Sequence, residues 1–258
     1  QNKFPSKQCL DPESTLPTHL LIPSPFPPAS DDKTRVALGE ARDYINASYI
    51  RMAVGPEEFQ YISCQGPLPA TARAFWQMVW ENKSDVVAMM TQEVERGRIK
   101  CHKYWPETPS QALEEGRFQL LVCESPPRPA HARPRPLALS WQTGATHVVR
   151  HLKFTHWPDH GVPHSSEQLV RFIRYLRAVH HSGPLTVHCS AGIGRTGVLI
   201  CTDVILSLIE NDLPINVGDI VREMRLQRYG MIQTKVSGYR GSKFRGQHLN
   251  KANQHPSP

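Results

Sequence analysis

The stretch VHCSAGIGRTG, residues 187–197, decides the fold and contains two overlapping patterns. Residues 192–197 satisfy G-x-G-x-x-G, the glycine-rich turn of dinucleotide-binding domains. The same stretch places Cys189 six positions before Arg195, as in a loop that holds one phosphate against a thiolate. A short apolar strand, residues 184–189, precedes the glycines, and a helix-length apolar segment, residues 198–211, follows them. Backbone N–H groups and the positive end of a helix therefore converge on an anion in both interpretations.

The residues around the glycines favour the phosphate loop. A dinucleotide site needs a second strand that ends in an acidic residue about 20 positions further on. Glu210 and Asp212 lie near that distance, but a helix-length segment runs directly into them and leaves no room for a strand. Cys189 at a helix N-terminus is expected to be a thiolate near neutral pH. Arg195 can bind two phosphate oxygens at once with its planar guanidinium.

Composition limits the function classes. A chain of 258 residues is long enough for one large α/β domain. The net charge is +7, but residues 235–258 carry five of the positive charges and no acidic residue, so we expect no nucleic-acid-binding face. The six cysteines form no C-x-x-C pair, which favours free thiols and a cytoplasmic location. Cys101 and Cys201 lie in apolar segments and are expected in the core. No apolar run reaches the roughly 20 residues of a membrane span, and no signal-peptide pattern opens the chain.

Hydrophobic periodicity predicts alternating strands and helices. Strands are expected at residues 59–64, 86–90, 151–155 and 184–189, and helices at 71–80, 167–179, 198–211 and about 217–224. This order predicts an α/β fold with a central twisted mixed sheet, largely parallel, flanked by helices. The active site should lie beyond the carboxyl ends of the strands. Five prolines within residues 126–136 predict that any strand there is interrupted or lies at an edge.

The sequence resembles the cysteine-based protein-tyrosine phosphatases. VHCSAGIGRTG is similar to their signature loop, and six further stretches support the likeness: DYINASYI (43–50), QGPLP (65–69), FWQMVWE (75–81), ERGRIKCHKYWP (95–106), WPDHGVP (157–163) and QRYGMIQT (227–234). The sequence is similar to the non-receptor branch, whose members often carry FERM or PDZ modules. The resemblance implies a tyrosine-phosphatase catalytic domain over residues 31–234. It would lie between a proline-rich irregular segment, residues 1–30, and a basic, disordered tail, residues 235–258.

This resemblance implies hydrolysis of phosphotyrosine in signalling proteins through a cysteinyl-phosphate, without a metal or cofactor. Cys189 would be the nucleophile and Arg195 the phosphate clamp, while Asp159 in WPDHG would act as general acid and then as general base. Thr196 would hydrogen-bond the sulfur, and Gln233 would position the attacking water. Phosphate would be bound by Asp159, Gln233, Arg195 and the backbone of the loop residues Ser190, Ala191, Gly192, Ile193 and Gly194.

Supporting roles are expected for four more residues. The resemblance implies that Glu95 orients Arg195 and that Lys100 contacts the acid loop WPDHG, whose first residue, Trp157, supports the site. His188, next to the nucleophile, is expected to be a hydrogen-bonding residue that tunes the thiolate. His156 and His160 are expected to be polar loop residues. Separately, Pro126–Pro129 fit the short PxxP pattern of ligands for SH3-type grooves.

Two departures from the family pattern leave an alternative open. Counted back from residues 34–36, Pro25 stands where the family has the tyrosine that walls the pocket, and Pro27 stands where an acid holds the substrate backbone. After residue 234 the sequence is polar and basic instead of forming a closing apolar helix. The alternative is therefore a catalytically weakened, pseudophosphatase-like module that binds phosphotyrosine, or a variant isoform.

Overall fold

The computed structural model describes residues 33–108, 111–123, 135–142, 144–157 and 166–232. Within these ranges nine strands form one sheet in the order β1-β2-β3-β11-β4-β10-β9-β8-β7. The strands of this sheet are β1 (Arg35–Leu38), β2 (Asp43–Val54), β3 (Glu57–Cys64), β4 (Val86–Met89), β7 (Leu113–Glu115), β8 (Phe118–Val122), β9 (Arg135–Trp141), β10 (Thr146–Lys153) and β11 (Leu185–His188). A separate hairpin pairs β5 (Val94–Glu95) with β6 (Arg98–Ile99). The helices are α1 (Ala72–Glu81), α2 (Glu167–Val179), α3 (Gly194–Glu210) and α4 (Val217–Gln227).

The sheet is mixed, with its parallel strands at the centre. β11 pairs in parallel with β3 and with β4, and β4 pairs in parallel with β10, while the outer pairings are antiparallel. The predicted mixed sheet flanked by helices is confirmed, but the expectation that it is largely parallel is wrong. Most outer neighbours are joined by short turns, such as the one at Gly55 between β2 and β3, and a short turn permits only antiparallel pairing. The parallel neighbours at the centre are far apart along the chain, as parallel pairing requires: α1 and α2 are among the elements between β3 and β11, and β5 to β9 lie between β4 and β10.

Most predicted elements are confirmed. The helices predicted at 71–80 and 167–179 are α1 and α2, and the strands predicted at 59–64, 86–90 and 184–189 are β3, β4 and β11. The helix predicted from residue 198 begins earlier, at Gly194, because the loop runs directly into its first turn.

The proline-rich region departs from expectation. Pro136 lies in β9, which is an interior strand between β8 and β10, so the predicted edge or interrupted strand is wrong there. Proline is tolerated near the first residue of a strand, and the carbonyl of Pro136 still accepts the Cys123 N–H at 2.8 Å. Pro126–Pro129, together with the predicted segments 1–30 and 235–258, lie outside the described residues.

Two hydrophobic clusters cover the two faces of the sheet. Successive residues of β4 alternate between them, since Val86 and Ala88 join the cluster of α2, α3 and α4 while Val87 and Met89 join that of α1. The central strands are thus fixed from both sides, and β11 delivers the chain rigidly to residue 189. Among the described helices, none combines the length and apolar character needed to cross a bilayer.

Candidate active site

The loop of residues 189–195 lies at the carboxyl end of β11, in the middle of the sheet. All four residues of β11 are buried, and α3 begins at Gly194. The loop is therefore anchored at both ends by core elements, as the sequence predicts. Cys189 itself is 5% exposed.

The carbonyl groups of the loop bond to the surrounding scaffold. The Ser190 carbonyl accepts the Gly66 N–H at 3.0 Å, and the Gly192 carbonyl accepts the Ser63 hydroxyl at 2.7 Å. The Ile193 carbonyl accepts the N–H of Ile232 at 3.0 Å. These bonds turn the loop carbonyls away from the loop's interior.

The N–H groups consequently point the other way. No described peptide bond is cis, and in a trans peptide the N–H lies opposite the preceding carbonyl. The N–H groups that follow the bonded carbonyls therefore face the inside of the loop. The Gly192 N–H demonstrates this, because it donates to the Cys189 Sγ at 3.3 Å. Convergent N–H groups of this kind form a nest that binds anions.

Glycine is required at position 192 for two reasons. Its φ of +71° is unfavourable for other residues, and a Cβ there would lie 2.1 Å from the carbonyl oxygen of Cys64. The loop thus presses against the end of β3.

Arg228, a residue to which the sequence assigns no role, holds the loop from behind. It is 3% exposed and donates to the carbonyls of Gly192 at 3.0 Å and Ala191 at 3.3 Å. Its other bonds go to Ser48 Oγ at 3.0 Å and Asn46 Oδ1 at 2.8 Å. Burial lowers the pKa of Arg228. Its only sequence signal is its place in QRYGMIQT.

Arg195 is paired with Glu95, the residue that the resemblance implies would orient it. The two side chains form a bidentate pair in which Nη2 lies 2.9 Å from Oε2, and Nη1 bonds to Oε1. Burial by itself raises the pKa of Glu95, but hydrogen bonds from Arg195, Thr91 and the Gln92 N–H outweigh it, so the pKa lies below its usual value. On another side, the guanidinium carbon lies 5.7 Å from the centre of the Trp157 ring.

A directed chain of hydrogen bonds runs through His188. Because the Cys189 carbonyl can only accept, Nδ1 of His188 carries the proton of the 3.2 Å bond between them. The other ring nitrogen then accepts from the Tyr104 hydroxyl at 2.5 Å, and the Tyr104 oxygen accepts from His151 Nε2 at 2.8 Å. Burial lowers the pKa of His188 to about 4, which keeps the ring neutral at pH 7. Tyr104 and His151 were not predicted, since their roles depend on contacts between distant strands and loops.

The comparisons with known proteins agree with this geometry. A family model described as protein-tyrosine phosphatase matches residues 28–237. The chain belongs to the protein-tyrosine phosphatase family. Tyrosine-protein phosphatase non-receptor type 13 of Mus musculus is 52% identical over 208 residues, covering 79% of this chain and 8% of the relative. Non-receptor type 20 of Rattus norvegicus is 49% identical over 204 residues, which cover 79% of this chain and 48% of that relative. Non-receptor type 4 of Mus musculus is 45% identical over 207 residues, which cover 79% of this chain and 22% of that relative. The chain thus spans less than half the length of these relatives.

Several predicted residues of this phosphatase domain have an observed position. Thr196 is fully buried in the first turn of α3, and within the described part of the chain its Oγ1 is the one buried side-chain polar atom without a hydrogen-bond partner. Lys100 is half-buried directly after β6. His156 is exposed beside Trp157. Asp159, His160 and Gln233, like Pro25 and Pro27, lie outside the described residues.

Three other thiols of the phosphatase domain are buried away from solvent. Cys101 and Cys201 are buried in the core, as expected, and burial raises the pKa of each to about 12. Burial also raises the pKa of Cys64, which lies beneath the loop. These three thiols stay protonated at neutral pH.

Proposed function

We propose that this chain hydrolyses phosphotyrosine in proteins, with Cys189 as the nucleophile and Arg195 as the phosphate clamp. The observation that carries the proposal is the Cys189 sulfur, which accepts the Gly192 N–H in a loop whose arginine, Arg195, is paired with a buried carboxylate. A thiolate needs such donors, and so do the three equatorial oxygens of a transferring phosphoryl group. One site therefore serves both partners of the reaction.

The first step transfers the phosphoryl group to sulfur. The Cys189 thiolate attacks phosphorus, an S–P bond forms, and the P–O bond to the tyrosine breaks. The loop N–H groups of residues 190–195 and the Arg195 guanidinium stabilise the charge on the phosphoryl oxygens. Asp159 gives its proton to the departing phenolate oxygen.

The second step returns the enzyme to its starting state. Gln233 positions a water molecule, the Asp159 carboxylate takes a proton from it, and the resulting oxygen attacks phosphorus. The S–P bond breaks to give inorganic phosphate and the Cys189 thiolate. The unpartnered hydroxyl of Thr196 supports a role as hydrogen-bond donor to the departing sulfur, because a buried hydroxyl without a partner is costly unless another state of the site uses it.

The remaining assignments extend the same proposal. The catalytic domain spans residues 31–234, Lys100 contacts the acid loop, and His188 tunes the thiolate through the Cys189 backbone. The substrates are phosphotyrosine-containing proteins in the cytoplasm. The cytoplasmic location is supported by the five described cysteines, which are all free thiols. A contact between Pro126–Pro129 and an SH3-type groove stays a prediction.

The test is a phosphatase assay on folded protein with a phosphotyrosine peptide. Cys189→Ser should abolish turnover, Asp159→Ala should bind the peptide but turn over slowly, and Cys123→Ser, a half-buried thiol in another part of the sheet, is the matched control. Turnover that survives Cys189→Ser would refute the proposal. Tight peptide binding with negligible hydrolysis by the unmutated chain would instead favour the phosphotyrosine-binding alternative, which rests on Pro25 and Pro27.

A further inference from the structure

Two separate segments hold the guanidinium of Arg195. The first, residues 91–95, supplies Thr91 and the Glu95 carboxylate, and the second, residues 153–157, supplies the Trp157 ring. Each segment follows a central strand, since β4 ends at Met89 and β10 ends at Lys153. The two strands pair in parallel, with Lys153 opposite Met89. Just beyond the end of β10, the Phe154 N–H still donates to the Met89 carbonyl at 2.9 Å. Past that backbone bond, side chains join the two segments.

Two side-chain contacts join the segments. The ammonium of Lys153 forms an ion pair with the Glu93 carboxylate, and the Gln92 side-chain amide donates to the Thr155 carbonyl at 3.3 Å. We propose that Glu93 and Lys153 are positioning residues for Arg195: their ion pair, here called the tether, fixes the distance between the two segments that hold the guanidinium. This inference rests on the proposed function of Arg195 as the phosphate clamp.

The side chains of the tether are partly shielded from solvent, unlike those of a surface ion pair. The Lys153 side chain is 23% exposed and the Glu93 side chain 36%, and the Lys153 ammonium lies 5.8 Å from the centre of the Trp105 ring. Partial burial and an aromatic face both strengthen the attraction relative to a pair in free solvent. Ion pairs with both partners well exposed, such as Arg174 with Glu210 between α2 and α3, lack this environment.

Backbone hydrogen bonds hold Glu93, the acidic partner of the tether, in place. The Glu93 carbonyl accepts the N–H groups of Lys100 at 2.8 Å and Cys101 at 3.3 Å, so the return strand of the hairpin clamps residue 93. Glu95 follows two positions later, with only Val94 between the two carboxylates. Glu93 pairs with Lys153 and Glu95 pairs with Arg195, so a shift at one carboxylate is passed along a short stretch of backbone to the other.

The test compares Glu93→Gln, Lys153→Met and the charge-reversed double variant Glu93→Lys/Lys153→Glu. Arg174→Met, which breaks an ion pair between two elements elsewhere, is the matched control. Affinity for inorganic phosphate is followed by NMR titration, which needs no turnover, and kcat/KM is measured with phenyl phosphate and 2,4-dinitrophenyl phosphate. Misplacing a catalytic group by about 1 Å can cost up to roughly 100-fold, so we expect each single variant to lose about tenfold in phosphate affinity and in kcat/KM on both substrates.

The measurements distinguish a tether that positions Arg195 from one that only stabilises the fold. If the tether positions Arg195, the melting temperatures of the single variants should stay close to that of Arg174→Met, and charge reversal should restore most of the lost phosphate affinity.

A loss of kcat/KM on phenyl phosphate alone would overturn the assignment to Arg195, because only the poorer leaving group depends strongly on the general acid. Unchanged phosphate affinity in both single variants would also overturn it. If the unmutated chain binds phosphate but hydrolyses neither ester, the proposed function fails, and the phosphate titrations still decide the role of the tether.

Discussion

Replacing Gly192 with alanine should inactivate the site by displacing its loop. The added Cβ would lie 2.1 Å from the Cys64 carbonyl oxygen, 2.3 Å from its carbon and 2.9 Å from the Gln65 nitrogen. All three atoms belong to backbone at the end of β3, which the sheet holds in place, so the loop has to move by about 1 Å. The N–H groups of the loop would then no longer point at the phosphoryl oxygens.

Two effects of Gly192→Ala can be estimated separately: the loss of stability and the loss of kcat. The left-handed backbone conformation costs a non-glycine residue roughly 1 to 2 kcal/mol, partly offset by a less flexible unfolded chain. Loss of one aligned oxyanion donor lowers kcat by about 100- to 1,000-fold. Gly144→Ala separates the two, because Gly144 has φ +85° and nothing within 4 Å of an added Cβ. It should lower the melting temperature by about 2 to 4 °C, from roughly 1 kcal/mol, and leave kcat/KM unchanged.

The assay is kcat/KM on an aryl phosphate together with thermal unfolding of both variants. Gly192→Ala should lose at least about 100-fold in kcat/KM while still unfolding cooperatively. If its kcat/KM stayed within a few fold of the unmutated chain, or if Gly144→Ala lost as much, the argument from loop geometry would be refuted.

Three further predictions follow from buried groups. Arg228→Met should destabilise the fold by about 3 kcal/mol or more and reduce kcat, because it removes the guanidinium that donates to the Ala191 carbonyl and one of the two donors to the Gly192 carbonyl. Urea unfolding and steady-state kinetics measure the two effects. Since burial lowers the pKa of His188 to about 4, the unfolded chain binds the proton more readily, and stability should fall by up to about 3 kcal/mol as the pH drops from roughly 6.5 to 4. NMR should find the ring neutral at pH 5.5, and an imidazolium there would contradict the argument. Asp203→Asn should cost about 3 kcal/mol, since Asp203 is buried against Arg177, but should leave kcat/KM of the folded protein unchanged.

The sequence predicts those parts of the site that lie close together along the chain. Cys189 and Arg195 share one loop, and the apolar strand and helix around it are readable from periodicity, so their placement follows from local rules. Glu95 was expected only through the resemblance, because nothing near it in sequence points to Arg195, which is 100 positions away.

The rest of the site depends on contacts that local patterns do not encode. Arg228 reaches the loop carbonyls across 36 positions, and Tyr104 reaches His188 across 84. The mixed character of the sheet was predicted, but the extent of parallel pairing was overestimated. Alternation of strands and helices indicates the crossovers between central strands, whereas most of the antiparallel outer pairings are set by short turns between consecutive strands.

In the proposed mechanism, Cys189 carries the phosphoryl group during turnover. Its most direct test is rapid acid quenching of the protein mixed with a phosphotyrosine peptide, followed by mass spectrometry of the fragment that contains residues 187–197. The proposed mechanism predicts a phosphate bound to Cys189 in the unmutated chain and none in Cys189→Ser. Phosphate found on another residue, or turnover by Cys189→Ser, would contradict it.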